Sequence, residues 1–129
     1  MRVTGFNHFA IDAVDYESSL FFYRGVLGFK QLATVHTPES SSTNLSVPGG
    51  CVVELIDRHG SAKGSCARAS AAVHHLAFDV EDVEASEAEL RKRGVDIVVP
   101  CTILEAFNTK VVQSRDPSGV IIAFRKNLR

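Results

Sequence analysis

The chain has no surplus of charge of either sign, no long apolar run and no cysteine pattern. Its 14 basic and 15 acidic residues leave a net charge of −1, with an isoelectric point near 6.5. Nucleic-acid binders carry a basic face and a high isoelectric point, so neither nucleic acid nor an anionic membrane is expected as a partner. The short Arg91-Lys92-Arg93 run and the tail Arg125-Lys126 read as solvated surface. Val120 to Phe124 is an apolar run of only five residues, against the roughly 20 that a membrane-spanning helix needs. Met1 to Phe9 lacks the apolar core and small-residue cleavage site of a secretory signal. The three cysteines, Cys51, Cys66 and Cys101, are odd in number and widely spaced. That argues against a disulfide framework or a zinc knuckle and suits reduced thiols in a cytoplasmic protein. With 129 residues, 45% of them apolar, the chain has the profile of one globular domain.

What it does have is a repeat. At an offset of 67 residues the segment His8 to Arg24 falls on His75 to Arg91, with identities at His8/His75, Ala10/Ala77, Asp12/Asp79, Asp15/Asp82, Glu17/Glu84, Ser19/Ser86 and Arg24/Arg91. At an offset of 69, Gly50-Cys51-Val52-Val53-Glu54-Leu55 falls on Gly119-Val120-Ile121-Ile122-Ala123-Phe124. A unit too small to bury its own apolar face is expected to pack against its copy, which would bring His8 and His75 toward a pseudo-twofold axis.

Each copy opens with period-two alternation, the signature of a strand with one face on a core. Phe9, Ile11, Leu76 and Phe78 are expected to face a helix layer, and His8, Ala10, His75 and Ala77 the opposite side. Tyr16, Leu20, Tyr23 and Leu27 then follow at helical steps. Asp15 and Asp82 are N-cap candidates, and the helices should stop near Gly25 or Gly28 and at Gly94. Strands are expected at Lys30 to His36, through the Ser-rich stretch to Val47, at Cys51 to Asp57, at Asp96 to Val99, at Lys110 to Arg115 and at Val120 to Arg125. Turns fall at Pro48-Gly49-Gly50 and Asp116-Pro117-Ser118-Gly119. The fold class is therefore α+β: two tandem βαβββ modules, at about 3–57 and 71–127, joined by a linker at about 58–70, within a single domain.

Glu54 stands on the strand face shared with Val52 and Ile56, where an unpaired carboxylate is costly. His8, Glu54 and His75 together offer two imidazoles and a carboxylate, a donor set suited to zinc, nickel, manganese or ferrous iron with positions left for substrate. His74, whose counterpart is Asn7, is assigned a supporting role. His36, which opens a polar loop from Thr37 to Asn44, His59 in the linker and Glu105 are weaker candidates. Asn44, Asn108, Lys110 and Arg24 are polar residues able to orient an anionic substrate.

At these residues the chain resembles the vicinal oxygen chelate superfamily, which includes glyoxalase I, fosfomycin- and bleomycin-resistance proteins, methylmalonyl-CoA epimerase and extradiol dioxygenases. The resemblance rests on Asn7-His8-Phe9-Ala10-Ile11, His74-His75-Leu76-Ala77-Phe78, the run Phe21 to Phe29 and Arg115-Asp116-Pro117-Ser118-Gly119. It implies a curled mixed sheet around a cavity, a homodimer, and four ligand positions of which His8, Glu54 and His75 match three. The fourth, commonly a Glu that also serves as the base, falls on Ala123. The implied function is a divalent-metal-dependent lyase or isomerase acting on a small substrate with vicinal oxygens. The alternatives are metal-free binding of a drug or metabolite and Fe(II) extradiol-type dioxygenation. With Ala123 unable to act as base, Glu105 is a weak candidate for that role. Fosfomycin-type transfer is disfavoured on the same ground.

Overall fold

A computed structural model describes Met1, Arg2, Thr4 and residues 6–59 and 74–129. Residues 60–70 of the expected linker, Cys66 among them, lie outside the described residues. The chain divides into two compact units, Met1–Ala69 and Ser70–Arg129.

The first unit runs β1 (His8–Asp12), α1 (Tyr16–Leu20), a π-helical turn (Phe21–Val26), β2 (Lys30–His36), β3 (Ser41–Val47) and β4 (Cys51–Asp57). The second runs β5 (Leu76–Asp79), α2 (Val83–Lys92), β6 (Asp96–Leu104), a 3₁₀ turn (Glu105–Phe107), β7 (Thr109–Arg115) and β8 (Ile121–Asn127). Each unit forms a four-stranded mixed sheet, ordered β1-β4-β3-β2 and β5-β8-β7-β6. The opening strand lies parallel to the closing strand and the other neighbours are antiparallel. This is the α+β arrangement of two βαβββ modules read from the repeat.

Alternation decides which face each side chain takes. In β3, Ser41, Thr43, Leu45 and Val47 are buried while Ser42, Asn44 and Ser46 are not. The buried row joins Ile11, Val53 and Leu55 beneath the helix, where the Tyr16 hydroxyl meets Thr43 Oγ1 at 2.5 Å. Fully burying a side chain such as Leu45 or Leu55 contributes about 1.5–3 kcal/mol. In the second unit Leu76, Val112, Ile122 and Phe124 are buried with Val83 and Leu90 of α2. Ile11 and Leu76 thus lie in the core as expected.

The turns follow their residues. The first helix gives way to a π turn that ends just before Gly28, whose φ of +74° needs glycine. A Cβ on Gly25 within that turn would lie 3.1 Å from the Phe21 ring. Asp82 caps α2 by accepting the Ala85 N–H at 2.9 Å. Asp15 makes no such backbone bond and instead accepts from the Ser18 hydroxyl.

Two expectations need correction. Ser41 to Asn44 belong to β3 rather than to a polar loop. β6 continues beyond Val99 to Leu104, because it is an edge strand where Pro100 costs no ladder bond; the register shifts there, between Val99 and Thr102.

Candidate metal centre and the helix-free faces

In the parallel pair of β1 and β4, Ala10 lies opposite Glu54. His8, two residues earlier, shares their face. It places Nε2 3.5 Å from Glu54 Oε1, with the His8 side chain 45% and the Glu54 side chain 25% exposed. His8 Nδ1 lies 2.6 Å from Asn7 Oδ1. That oxygen can only accept, so in the neutral ring the proton sits on Nδ1 and the Nε2 lone pair faces the carboxylate. A cation between the two acceptors would satisfy both lone pairs at once. For an ion about 2.1 Å from each donor, a separation of 3.5 Å corresponds to an angle of about 110°, close to tetrahedral. The residues therefore fit two ligands of a divalent ion. Asn44 stands opposite Glu54 on β3, on the same face.

The second unit repeats this layout with alanine in place of the carboxylate. Ala77 lies opposite Ala123 as Ala10 lies opposite Glu54, and Gln113 lies opposite Ala123 as Asn44 lies opposite Glu54. Ala123 is 2% exposed. His75 stands just before β5 with Nδ1 2.8 Å from His74 Nδ1, and the two rings are edge to face. In both units the preceding residue, Asn7 or His74, engages Nδ1 of the histidine. Among the described residues no group of three His, Cys, Asp or Glu is placed to hold a metal.

Lys110 is in the β7 row with Val112 and Ser114, the side covered by α2, and meets Glu84 at 2.5 Å. That bond pushes the Lys110 ammonium up and holds the Glu84 carboxyl below its ordinary value. A cleft of about 340 Å³ at the start of α2 is lined by both residues with Glu81, Asp82 and Lys126, so its charges are of both signs. Asn108 sits in the left-handed region between the 3₁₀ turn and β7, and Glu105 is exposed at the start of that turn. Arg24 Nη1 donates to Gln31 Oε1. His36 Nδ1 and His59 Nε2 both hydrogen-bond the buried Ser41 hydroxyl, at 2.8 and 2.9 Å. Cys51 and Cys101 are free thiols, and burial is the largest of the influences that push Cys101 up.

Two residues on these faces were not anticipated. Gln113 follows from Asn44 at the same 69-residue offset that relates the closing strands. Arg125, read as part of a solvated tail, shares the helix-free face with Ala123 because the two are separated by two residues of one strand.

The family model of the Glyoxalase/Bleomycin resistance protein/Dioxygenase superfamily matches residues 5–124. The chain belongs to this superfamily. Among relatives, the uncharacterized protein YwkD of Bacillus subtilis (strain 168) is 31% identical over 98 residues, covering 74% of this chain and 77% of YwkD. The crystal structure of SMU.1112c superposes with a TM-score of 0.81 at 26% identity, covering 97% of this chain and all of that one. Trypanothione-dependent glyoxalase I of Leishmania major superposes with a TM-score of 0.72 at 28% identity, covering 94% and 85%. Membership accounts for the doubled βαβββ unit. Among the described residues no helix of this glyoxalase-superfamily chain is long and apolar enough to cross a membrane.

Proposed function

We propose that this superfamily member is a divalent-metal-dependent lyase or isomerase acting on a small substrate with vicinal oxygens. His8 and Glu54 are two of the metal ligands, and His75, as the repeat implies, is the third. The observation that carries the reading is the His8 Nε2 lone pair facing Glu54 Oε1 at 3.5 Å with the Nδ1 proton engaged by Asn7.

When bound, the ion supplies Lewis acidity to the substrate oxygens and stabilises the negative charge that develops on them. The chain's own residues set its orientation. Asn7 fixes the His8 ring, as the partner of a metal-bound imidazole commonly does, and Asn44 offers an amide beside Glu54. Ala123 provides neither ligand nor base, so proton transfer falls to another group. Glu105 of the same chain, or a residue of the partner in a homodimer, is the candidate. The unpaired thiols suit a cytoplasmic setting.

A second reading, metal-free capture of a drug or metabolite, is favoured by one observation: the buried methyl of Ala123 at the position equivalent to Glu54. Elemental analysis of protein purified without tag or chelator separates the two. Near-stoichiometric metal in the wild type, lost in His8→Ala and in His75→Ala, supports the enzyme. Nickel or zinc would favour lyase chemistry and iron an oxygenase. Absence of metal after incubation with divalent ions leaves the binding protein.

A further inference from the structure

On its helix-free face the second sheet carries a cation at the position where the first sheet has Ile56. Register and repeat place Arg125 at the position of Ile56, two residues and about 6.6 Å of strand beyond Ala123. In the first unit the arginine that pairs with the equivalent aspartate is Arg58, whose Nε donates to Asp12 Oδ1 at 2.8 Å. Arg58 lies four residues past Glu54 rather than two. Where the first unit has the Glu54 carboxylate the second has Ala123, and where the first has Ile56 the second has a guanidinium one step along the same face.

The guanidinium is held mainly by neutral groups. Nη2 donates to Thr109 Oγ1 at 2.9 Å and to Asn127 Oδ1 at 2.5 Å, and the buried Thr109 hydroxyl in turn donates to Phe107 O. Among the described residues the one anion it meets is Asp79, at 3.3 Å from Nη1; that side chain is 84% exposed, against 31% for Arg125. A solvated ion pair of this kind contributes little. Among the described residues, Nε–H and the second N–H of Nη1 carry no bond. The result is a fixed cation with unused donors in the fork geometry that a carboxylate matches.

We infer that Arg125 is a carboxylate-binding residue that takes a small organic acid such as a 2-oxo or 2-hydroxy carboxylate. This anion site stands on the second unit alone and does not depend on the metal-centred reading above. Asp79 occupies the guanidinium until the ligand carboxylate replaces it. Gln113, opposite Ala123, supplies a neutral amide on the same face.

The test is a titration of the full chain with pyruvate and with hydroxyacetone, which keeps vicinal oxygens without the charge, followed by NMR chemical-shift changes. Wild type should bind pyruvate about tenfold tighter than hydroxyacetone, the size of one charge-assisted contact. Arg125→Gln should abolish that preference and leave hydroxyacetone unchanged. Arg125→Lys should restore part of it. Asp79→Asn should tighten pyruvate binding, an effect that a purely structural ion pair would not give. No preference in the wild type, or a preference that survives Arg125→Gln in protein with unchanged thermal unfolding, overturns the inference. Metal content of the same samples reads the other proposal separately. Metal present with no Arg125 effect removes the anion site alone, and a pyruvate preference without metal removes the metal site alone.

Discussion

The junction of β1 with β4 and that of β5 with β8 share backbone pairing and differ in what the pairing presents. On one, His8 and Glu54 converge; on the other, Ala123 faces Ala77 and the nearest charged side chain on the closing strand is Arg125. The two sheets share one register, with Glu54 and Ile56 on one matched by Ala123 and Arg125 on the other. The register is held by apolar residues on the opposite face, Val53 and Leu55 in one unit and Ile122 and Phe124 in the other. The exposed helix-free residues are therefore able to diverge without shifting the register.

The comparison breaks most completely if its first half is removed. His8→Ala or Glu54→Ala should lower metal affinity by at least about 100-fold, since loss of a supporting partner alone costs 10–100-fold. Equilibrium metal competition measures this, and unchanged affinity in both variants would remove the site. Next in size is the scaffold itself. Ile122→Ala should destabilise the protein by about 2–5 kcal/mol, read by denaturant unfolding, because Ile122 is fully buried between the two neighbouring strands.

Restoring the missing carboxylate sharpens the contrast. Ala123→Glu puts a charge where the native methyl is 2% exposed, so the metal-free variant should lose about 1–3 kcal/mol. Added divalent ion should recover that loss in a thermal melt if position 123 is equivalent to Glu54. A variant as stable as the wild type and indifferent to metal would show that it is not. A smaller effect is expected from Asn7→Ala, which frees the His8 ring and should weaken metal binding about tenfold while leaving the unfolding midpoint in place.

Much of this was legible in the residues because the repeat carries two independent offsets, one for the opening strand and helix and one for the closing strand. Together they fix which residues face each other, and the family resemblance then marks Ala123 as the departure at the position matching Glu54. What escaped had local physical causes. Pro100 interrupts the apolar alternation of β6, yet on an edge strand it forfeits no ladder bond. The π turn brings Gly25 against the Phe21 ring four residues earlier, a local contact that the helical spacing of the apolar residues does not signal. Arg125 looked like a charged tail; only its parity with Ala123 shows that it faces away from α2, and the same argument puts Lys110 on the helix side.

The helices offer the mildest contrast. At the 67-residue offset Leu20 corresponds to Glu87, so one helix is anchored by an apolar side chain and the other by a carboxylate. Leu20 is buried. Glu87 accepts the Cys101 backbone N–H at 2.5 Å and pairs with Arg91. First the Cys101 N–H and then Arg91 hold its pKa below the ordinary glutamate value. A carboxyl with a depressed folded-state pKa adds stability that is present above its unfolded pKa and is lost as pH falls through the folded value. Acidification below the ordinary glutamate range should therefore loosen the attachment of α2 to β6, while leaving α1 on its sheet. Hydrogen exchange should show the Cys101 amide and the last turn of α2 exchanging faster at low pH relative to Tyr23 and Leu55. In Glu87→Gln that extra pH dependence should vanish, because the amide oxygen still accepts the N–H but no longer titrates. Equal acid sensitivity of the two helices, or no change in Glu87→Gln, would show that the carboxylate does not anchor α2.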